Sequence, residues 1–218
     1  MECTKRDCTS SKPATVILLV DSFRQKGLEA LESCGCEIVL DPTLQENALV
    51  EAIAATNPDI LVVRSTKITA EMLEASERLS VIIRAGAGCD TIDVASASKR
   101  GIFVANCPNK NSVAVAELTW SLILSCDRKV PDQVIDLRNS TWNKKEFSKA
   151  KGLHGRTLGV IGFGGIGKEV VNRGKAFGMN IVVWSRSLTE ELATELEINR
   201  CDSLLNVAKM SDVVSIHI

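Results

Sequence analysis

At 218 residues the chain is long enough for one large or two small domains. Hydrophobic residues make up 45% and charged residues 24%, and 26 Lys plus Arg against 27 Asp plus Glu leave a formal net charge of −1. That is an ordinary globular composition with no basic surplus to recruit nucleic acid, and no apolar run approaches the roughly 18 residues that span a bilayer, so neither nucleic acid nor membrane is an expected partner.

The first residues, Met1 to Pro13, lack an apolar signal core and read as a disordered lead-in, 1–14. A cytoplasmic location is expected, with organellar targeting left open. Val16 to Val20 is an unbroken apolar run, suited to a strand buried on both faces. Phe23, Leu28 and Leu31 recur at helical spacing up to Gly35, and Glu37 to Leu40 is a short strand. Leu44 to Ala54 suits a helix, and Ile60 to Val63 a third strand with Arg64-Ser65-Thr66 just past its end. Thr69 to Ser76 reads as a helix and Val81 to Ile83 as a strand, followed by Arg84-Ala85-Gly86-Ala87-Gly88. A helix over Ile92 to Arg100 and a strand over Ile102 to Val104 complete a run of alternating elements, the pattern of a parallel α/β sheet.

Asn111 or Ser112 can cap a long helix through Val115, Leu118, Ile123 and Cys126. Lys129 to Lys151 is polar and reads as a link, with Trp142 and Phe147 as isolated anchors. After Arg186, Leu188 to Leu196 and Leu204 to Lys209 read as helices and Val213 to Ile218 as a strand. The eight cysteines (3, 8, 34, 36, 89, 107, 126 and 201) are too dilute for a disulfide framework and read as free thiols. None has the partners that zinc spacing requires, so no metal site is expected.

The stretch from Thr157 to Arg186 carries the chemistry. An apolar run, Leu158 to Ile161, leads into Gly162-Phe163-Gly164-Gly165-Ile166-Gly167, then a helix to Gly178 and a second apolar run, Ile181 to Trp184. This is a G-x-G-x-x-G fingerprint in the context it needs, between a strand and a helix. Gly162 permits the tight turn, Gly164 lets backbone approach a pyrophosphate, and Gly167 allows close helix–strand packing. The helix start then offers free N–H groups and a positive dipole end to phosphates. At the end of the second strand an acid would bond the adenosine ribose, whereas an Arg accommodates a 2′-phosphate. Here Ser185 and Arg186 stand at that place, so the expected cofactor is NAD or NADP, with tolerance of or preference for NADP. A full dinucleotide sheet has about six strands. Three at most are legible after Leu158, so this half reads as truncated.

These motifs, in this order, resemble the D-isomer-specific 2-hydroxyacid dehydrogenases. The resemblance runs from Val16 to Ile218 and rests on Val62-Val63-Arg64-Ser65, Arg84 to Gly88, Thr91-Ile92-Asp93, Asn109 to Ser112, Val115-Ala116-Glu117-Leu118, Gly155 to Gly159, the fingerprint, and Asp212 to Ser215. Within the family, the nearest likeness is to members acting on 3-phosphoglycerate. The resemblance implies a flavodoxin-like parallel-sheet substrate domain, 15–110, followed by a truncated Rossmann nucleotide-binding domain, 111–218. It implies a small 2-hydroxy or 2-oxo acid substrate, held by Arg64 and Ser65 and by backbone N–H groups of the loop Arg84 to Gly88, with Arg84, Ala85 and Gly86 as its substrate-binding residues. It places Ala87 and Ile218 beside the cofactor and Gly165 and Ile166 at the pyrophosphate. It also implies a homodimer through the helix after Asn111.

Two departures stand out. Many members acting on 3-phosphoglycerate carry Arg at the position of Gly165. The family's catalytic Arg, Glu and His lie beyond the position of Ile218, so no catalytic residue is expected in this chain, and the expectation is an inactive N-terminal portion. His154 and His217 read as structural, since neither has an acidic orienter by motif. The alternatives are a non-catalytic nucleotide-binding and dimerising module of the same fold, or a hydroxypyruvate or glyoxylate reductase.

Overall fold

The computed structural model describes residues 14–218, so the expected lead-in lies, but for Ala14, outside the described residues. The chain forms two compact units, one ending at Pro108 and the other running Asn109–Ile218.

In the first unit β1 (Val16–Leu19), α1 (Gln25–Ser33), β2 (Glu37–Leu40), α2 (Glu46–Thr56), β3 (Ile60–Val63), α3 (Ala70–Glu74), β4 (Val81–Arg84), α4 (Val94–Lys99) and β5 (Phe103–Asn106) alternate along the chain. The strands form one all-parallel sheet in the order β2-β1-β3-β4-β5. That is the flavodoxin-like doubly wound order, whose winding direction changes between β1 and β3. Strand side chains alternate between faces. Leu18, Val20, Leu61, Val63 and Ile82 therefore share one face, and all are buried with Leu49, Ile53, Leu73 and Ala97 of the helices. The opposite face is covered more thinly. Helix α1 has no buried residue, and Phe103 on the edge strand is 77% exposed.

The second unit opens with α5 (Ser112–Arg128), α6 (Val130–Arg138) and α7 (Lys144–Phe147). It continues with β6 (Thr157–Ile161), α8 (Gly165–Ala176), β7 (Asn180–Trp184), α9 (Glu190–Glu195), β8 (Asn199–Arg200), α10 (Leu204–Met210) and β9 (Val213–Ile216). Its parallel sheet has the order β8-β7-β6-β9, the first four strands of the Rossmann sequence 3-2-1-4. Helix α5 packs on α8 through Ala116 and Trp120. The buried Trp120 indole N–H donates to the Val170 carbonyl at 3.1 Å, and its ring stacks on Phe177 with centroids 4.6 Å apart. No helix among the described residues is long and apolar enough to cross a membrane.

Three expectations change. Counting β6 itself, the second unit has four strands, not three, because β8 is a two-residue strand paired to Val182 and Val183 of β7. Its Asn199 and Arg200 carry no apolar run to announce it. The polar stretch 129–151 is largely helical. Lys129 in the left-handed region ends α5 and starts α6, with a proline in the first turn and Asp132 there to complement the dipole. Trp142 is 78% exposed rather than buried as an anchor. On α5, Asn111 is the N-cap but its side chain makes no cap bond. The buried stripe is Ser112, Ala116 and Trp120, which leaves Leu118 at the surface.

Candidate functional site

In the second unit the C-terminal ends of β6, β7 and β9 surround a groove of about 520 Å³. Gly162 to Gly164 floor it, Trp184 to Ser187 wall it, and His217 and Ile218 close it. It opens between β6 and β9, where the strand order reverses, the position at which such sheets bind ligands.

Each fingerprint glycine has its own reason. Gly162 has φ +96°, and a Cβ there would collide with the backbone carbonyl of His217. A Cβ on Gly167 would strike the carbonyl oxygen of Gly162. Both are therefore demanded by the fold, and Gly162 brings the end of β9 against the turn. Gly164 is different: it sits in extended backbone with nothing within 4 Å of its Cβ direction. It is the N-cap of α8 and offers no side-chain cap. The first intrahelical bond runs from the Lys168 N–H to the Gly164 carbonyl at 3.1 Å. The N–H groups of Gly165, Ile166 and Gly167, one turn earlier, have no carbonyl within the helix to reach. A bare helix start with room above it is a cradle for an anion. At Gly165 the space a side chain would take is filled by Asn109 Oδ1 and Ser112 Oγ.

Past β7, Ser185 Oγ lies 3.3 Å from Ser187 Oγ. Arg186 is exposed, and its guanidinium has no acidic or carbonyl partner among the described residues. Arg200 holds the loop from behind, its Nε donating to the Leu188 carbonyl at 3.0 Å. His217 Nε2 is 2.8 Å from Ser215 Oγ, and burial pushes its pKa below the ordinary histidine value. No carboxylate among the described residues hydrogen-bonds to it. Ile218 is 96% exposed beside Gly162.

In the first unit the loops after β3 and β4 are neighbours, because those strands pair. Arg84 ties them together. Its Nε donates to the Arg64 carbonyl at 3.1 Å and its Nη1 to the Gly88 carbonyl at 3.1 Å. Its side chain is thus a brace between loops. Two of the backbone donors expected for a carboxylate are also engaged. The Ala85 N–H donates to the Val63 carbonyl at 2.7 Å and the Gly86 N–H to the Arg84 carbonyl at 2.8 Å. The N–H groups of Ala87 and Gly88 have no acceptor among the described residues. The loop is held open by Asn106, whose Nδ2 donates to the Ala87 carbonyl at 2.6 Å, and by the Cys107 N–H on the Gly86 carbonyl at 2.9 Å. Arg64 and Ser65 are exposed, and the Arg64 guanidinium has no polar partner among the described residues.

One residue of this region escaped sequence reasoning. Asp21, just past β1, accepts from the N–H of Arg64 at 2.6 Å and from the hydroxyls of Ser65 and Thr66 at 3.0 and 3.1 Å. Burial pushes its carboxyl up, but the Arg64 N–H and the Ser65 and Thr66 donors outweigh this and hold its pKa below the ordinary carboxylate value. The available signal was an acid placed directly after an apolar strand run.

Two doubly wound parallel units, one of them carrying a glycine turn and a bare helix start at its switch point, define an α/β protein with the fold of the dehydrogenases. The family model for the D-isomer specific 2-hydroxyacid dehydrogenase catalytic domain matches residues 17–215. The chain belongs to the D-isomer-specific 2-hydroxyacid dehydrogenase family. It is 40% identical over 203 residues to D-3-phosphoglycerate dehydrogenase of Methanocaldococcus jannaschii, covering 93% of this chain and 38% of that one. It is 42% identical over 176 residues to hydroxypyruvate reductase of Thermotoga maritima, covering 80% and 55%. The NAD+-bound 3-phosphoglycerate dehydrogenase of Entamoeba histolytica superposes with a TM-score of 0.76 at 27% identity, over 94% of this chain and 63% of that one. The chain therefore spans between about two fifths and three fifths of the length of these relatives.

Proposed function

We propose that the chain supplies the substrate-binding and nucleotide-binding surfaces of a nicotinamide-dependent oxidoreductase of D-2-hydroxy acids. The observation that carries this reading is the bare N-terminus of α8 in a groove at the switch point, with Gly164 leaving room for a ligand. The residues fit a dinucleotide. The N–H groups of Gly165, Ile166 and Gly167 would hold the pyrophosphate, with Gly162 shaping the turn and His217 and Ile218 flanking it. When bound, such a cofactor supplies a hydride acceptor for the carbon bearing the hydroxyl. Ser185 and the unpaired Arg186 favour a 2′-phosphate, hence NADP over NAD.

For the acid, Arg64 is a cation with no polar partner among the described residues, and Ala87 and Gly88 carry backbone donors with no acceptor there, so these take the anionic groups, while Arg84, Ala85 and Gly86 shape the loop. A guanidinium with no partner of its own suits a phosphate as well as a carboxylate. That favours 3-phosphoglycerate, with hydroxypyruvate or glyoxylate as the alternative substrates. The outward side of α5, with Val113, Leu118 and Leu122 exposed, supports the homodimer. The test is titration with NADPH and NADH, followed by tryptophan fluorescence, since Trp184 lines the groove. Saturable binding with NADPH the tighter is expected. Binding of neither dinucleotide overturns the reading.

A further inference from the structure

Helix α8 starts without the groups that would complement its positive end. Gly164 gives no side-chain cap, and no acid stands in the first turn. Lys168 stands there instead, a cation where the dipole favours an anion. No local pair offsets it. The residues three and four away are Gly164, Gly165, Val171 and Asn172, and no acid forms an ion pair with Lys168 among the described residues. Lys168 is exposed, and its Nζ lies 5.8 Å from the centre of the ring of Phe163, a residue of the groove floor. A start that breaks local preference in this way is one arranged for a negatively charged ligand.

Helix geometry gives the direction. Seven residues make almost two turns, so Lys168 and Lys175 share one stripe of α8. Lys175 Nζ donates to the Leu196 carbonyl at the end of α9, so that stripe faces the side of the unit where β7, α9 and β8 lie. Long side chains on a helix lean toward its N-terminus. That carries the Lys168 ammonium toward the loop after β7, where Ser185, Arg186 and Ser187 wall the groove. Two acids that follow this wall, Glu190 and Asp202, both accept from Arg200 Nη1, at 2.7 and 2.8 Å. Their charge is thereby offset behind the loop, while Lys168 and Arg186 have no acidic partner among the described residues.

We propose that Lys168 is the second cation of a 2′-phosphate site: its ammonium reaches that phosphate from the helix side of the groove and the Arg186 guanidinium from the strand side. This rests on the proposed function and adds to it a specificity-determining residue that lies outside the glycine pattern and outside the end of β7. Two cations from two elements hold a dianionic phosphate more selectively than one, because the adenosine ribose of NAD offers neither of them a charge.

The experiment titrates NADPH and NADH calorimetrically into the unaltered chain and into Lys168→Gln, at low and at high salt. Lys168→Gln should bind NADPH about threefold to tenfold more weakly and NADH within about twofold of the unaltered chain. The salt dependence of NADPH binding should become shallower, which a merely structural lysine would not cause. Lys168→Arg should keep the preference for NADPH. Lys209→Gln removes the same charge at the end of α10 that leads into β9, away from the groove, and should leave both affinities within about twofold. An equal loss for both dinucleotides would put Lys168 at the pyrophosphate and overturn the inference, as would unchanged NADPH binding or an unaltered chain that does not prefer NADPH. Each of these leaves dinucleotide binding standing. Binding of neither dinucleotide by the unaltered chain overturns the inference and the proposed function together.

Discussion

The loop after β4 and the loop after β6 hold comparable places, each a glycine-rich turn at the C-terminal end of a central parallel strand. They solve the backbone problem in opposite ways. The loop from Arg84 to Gly88 is braced from within: Ala85 and Gly86 donate to carbonyls, and the Arg84 guanidinium bridges to Arg64 and Gly88. The loop from Gly162 to Gly167 leaves the first N–H groups of α8 bare and gives Gly164 no neighbour. Their glycines differ accordingly. A Cβ at Gly86 or Gly88 would press on side chains, the Arg84 guanidinium at 2.6 Å and Asp90 Oδ1 at 2.7 Å. A Cβ at Gly162 or Gly167 would press on backbone carbonyls. An account of where each N–H goes thus separates glycines that shape a loop from those that clear space above one.

That difference sets the largest expected effects. Gly162→Ala and Gly167→Ala each force a side chain into a carbonyl, and Gly162 also has its positive φ. Each should destabilise the second unit by about 3 kcal/mol or more. Urea unfolding monitored through the buried Trp120 would measure it, and a loss under about 1 kcal/mol would contradict the packing argument. Gly86→Ala, where Arg84 can swing away, should cost less than either. Gly164→Ala provides the contrast within the fingerprint itself. Its backbone suits alanine and nothing lies in the way, so stability should hold within about 0.5 kcal/mol. Dinucleotide affinity should nevertheless fall by about tenfold to a hundredfold, about 1.4 to 2.8 kcal/mol. Unchanged affinity would show that the open space at Gly164 is not where a ligand lies.

The same contrast explains what could be read from the residues alone. Strands of a parallel sheet are buried on both sides, so β1, β3, β6 and β7 show as continuous apolar runs. The two-residue β8 has no such run, and its pairing to β7 depends on the path of the chain rather than on its own residues. Helices α6 and α7 were hidden because Val134, Ile135 and Leu137 point outward, so no core-facing stripe exists to find. The fingerprint was legible because each glycine answers a local steric need. Asp21 was not, because its role arises only when β1 and β3 become neighbours and carry it across to residues 64–66. The engagement of the Ala85 N–H was hidden for the same reason, since the Val63 carbonyl reaches Ala85 only from the adjacent strand.

A smaller effect is expected at the wall of the groove. Ser185→Asp would place a carboxylate where the proposed dinucleotide would set its adenosine ribose and repel a 2′-phosphate, whereas Arg186→Ala would remove the cation without adding charge. The first should shift preference toward NADH by about tenfold or more, and the second should weaken NADPH alone by about fivefold to tenfold. Because Ser185 hydrogen-bonds to no side chain but Ser187 among the described residues, and Arg186 is exposed, neither change should disturb the fold. Parallel titrations with both dinucleotides would check this, and an Arg186→Ala protein that binds NADPH as before would remove the argument for a phosphate at this place.

The smallest effect concerns the braced unit and its dependence on pH. The folded pKa of Asp21 is depressed, so its stabilising contribution is present above the ordinary carboxylate value and is lost as pH falls through the folded value. The unaltered protein should therefore lose a share of its stability below about pH 4 that Asp21→Asn lacks. At neutral pH Asp21→Asn should be the less stable of the two, and the gap should close as the solution is acidified. The loop after β6 has no comparable carboxylate, so acid should loosen residues 64–66 before it loosens 162–167. Hydrogen exchange at the Arg64 N–H against that at the Gly162 N–H, which donates to the Trp184 carbonyl at 2.8 Å, would follow the two loops separately. Equal acid sensitivity at both amides would mean that Asp21 does not hold its loop through charge.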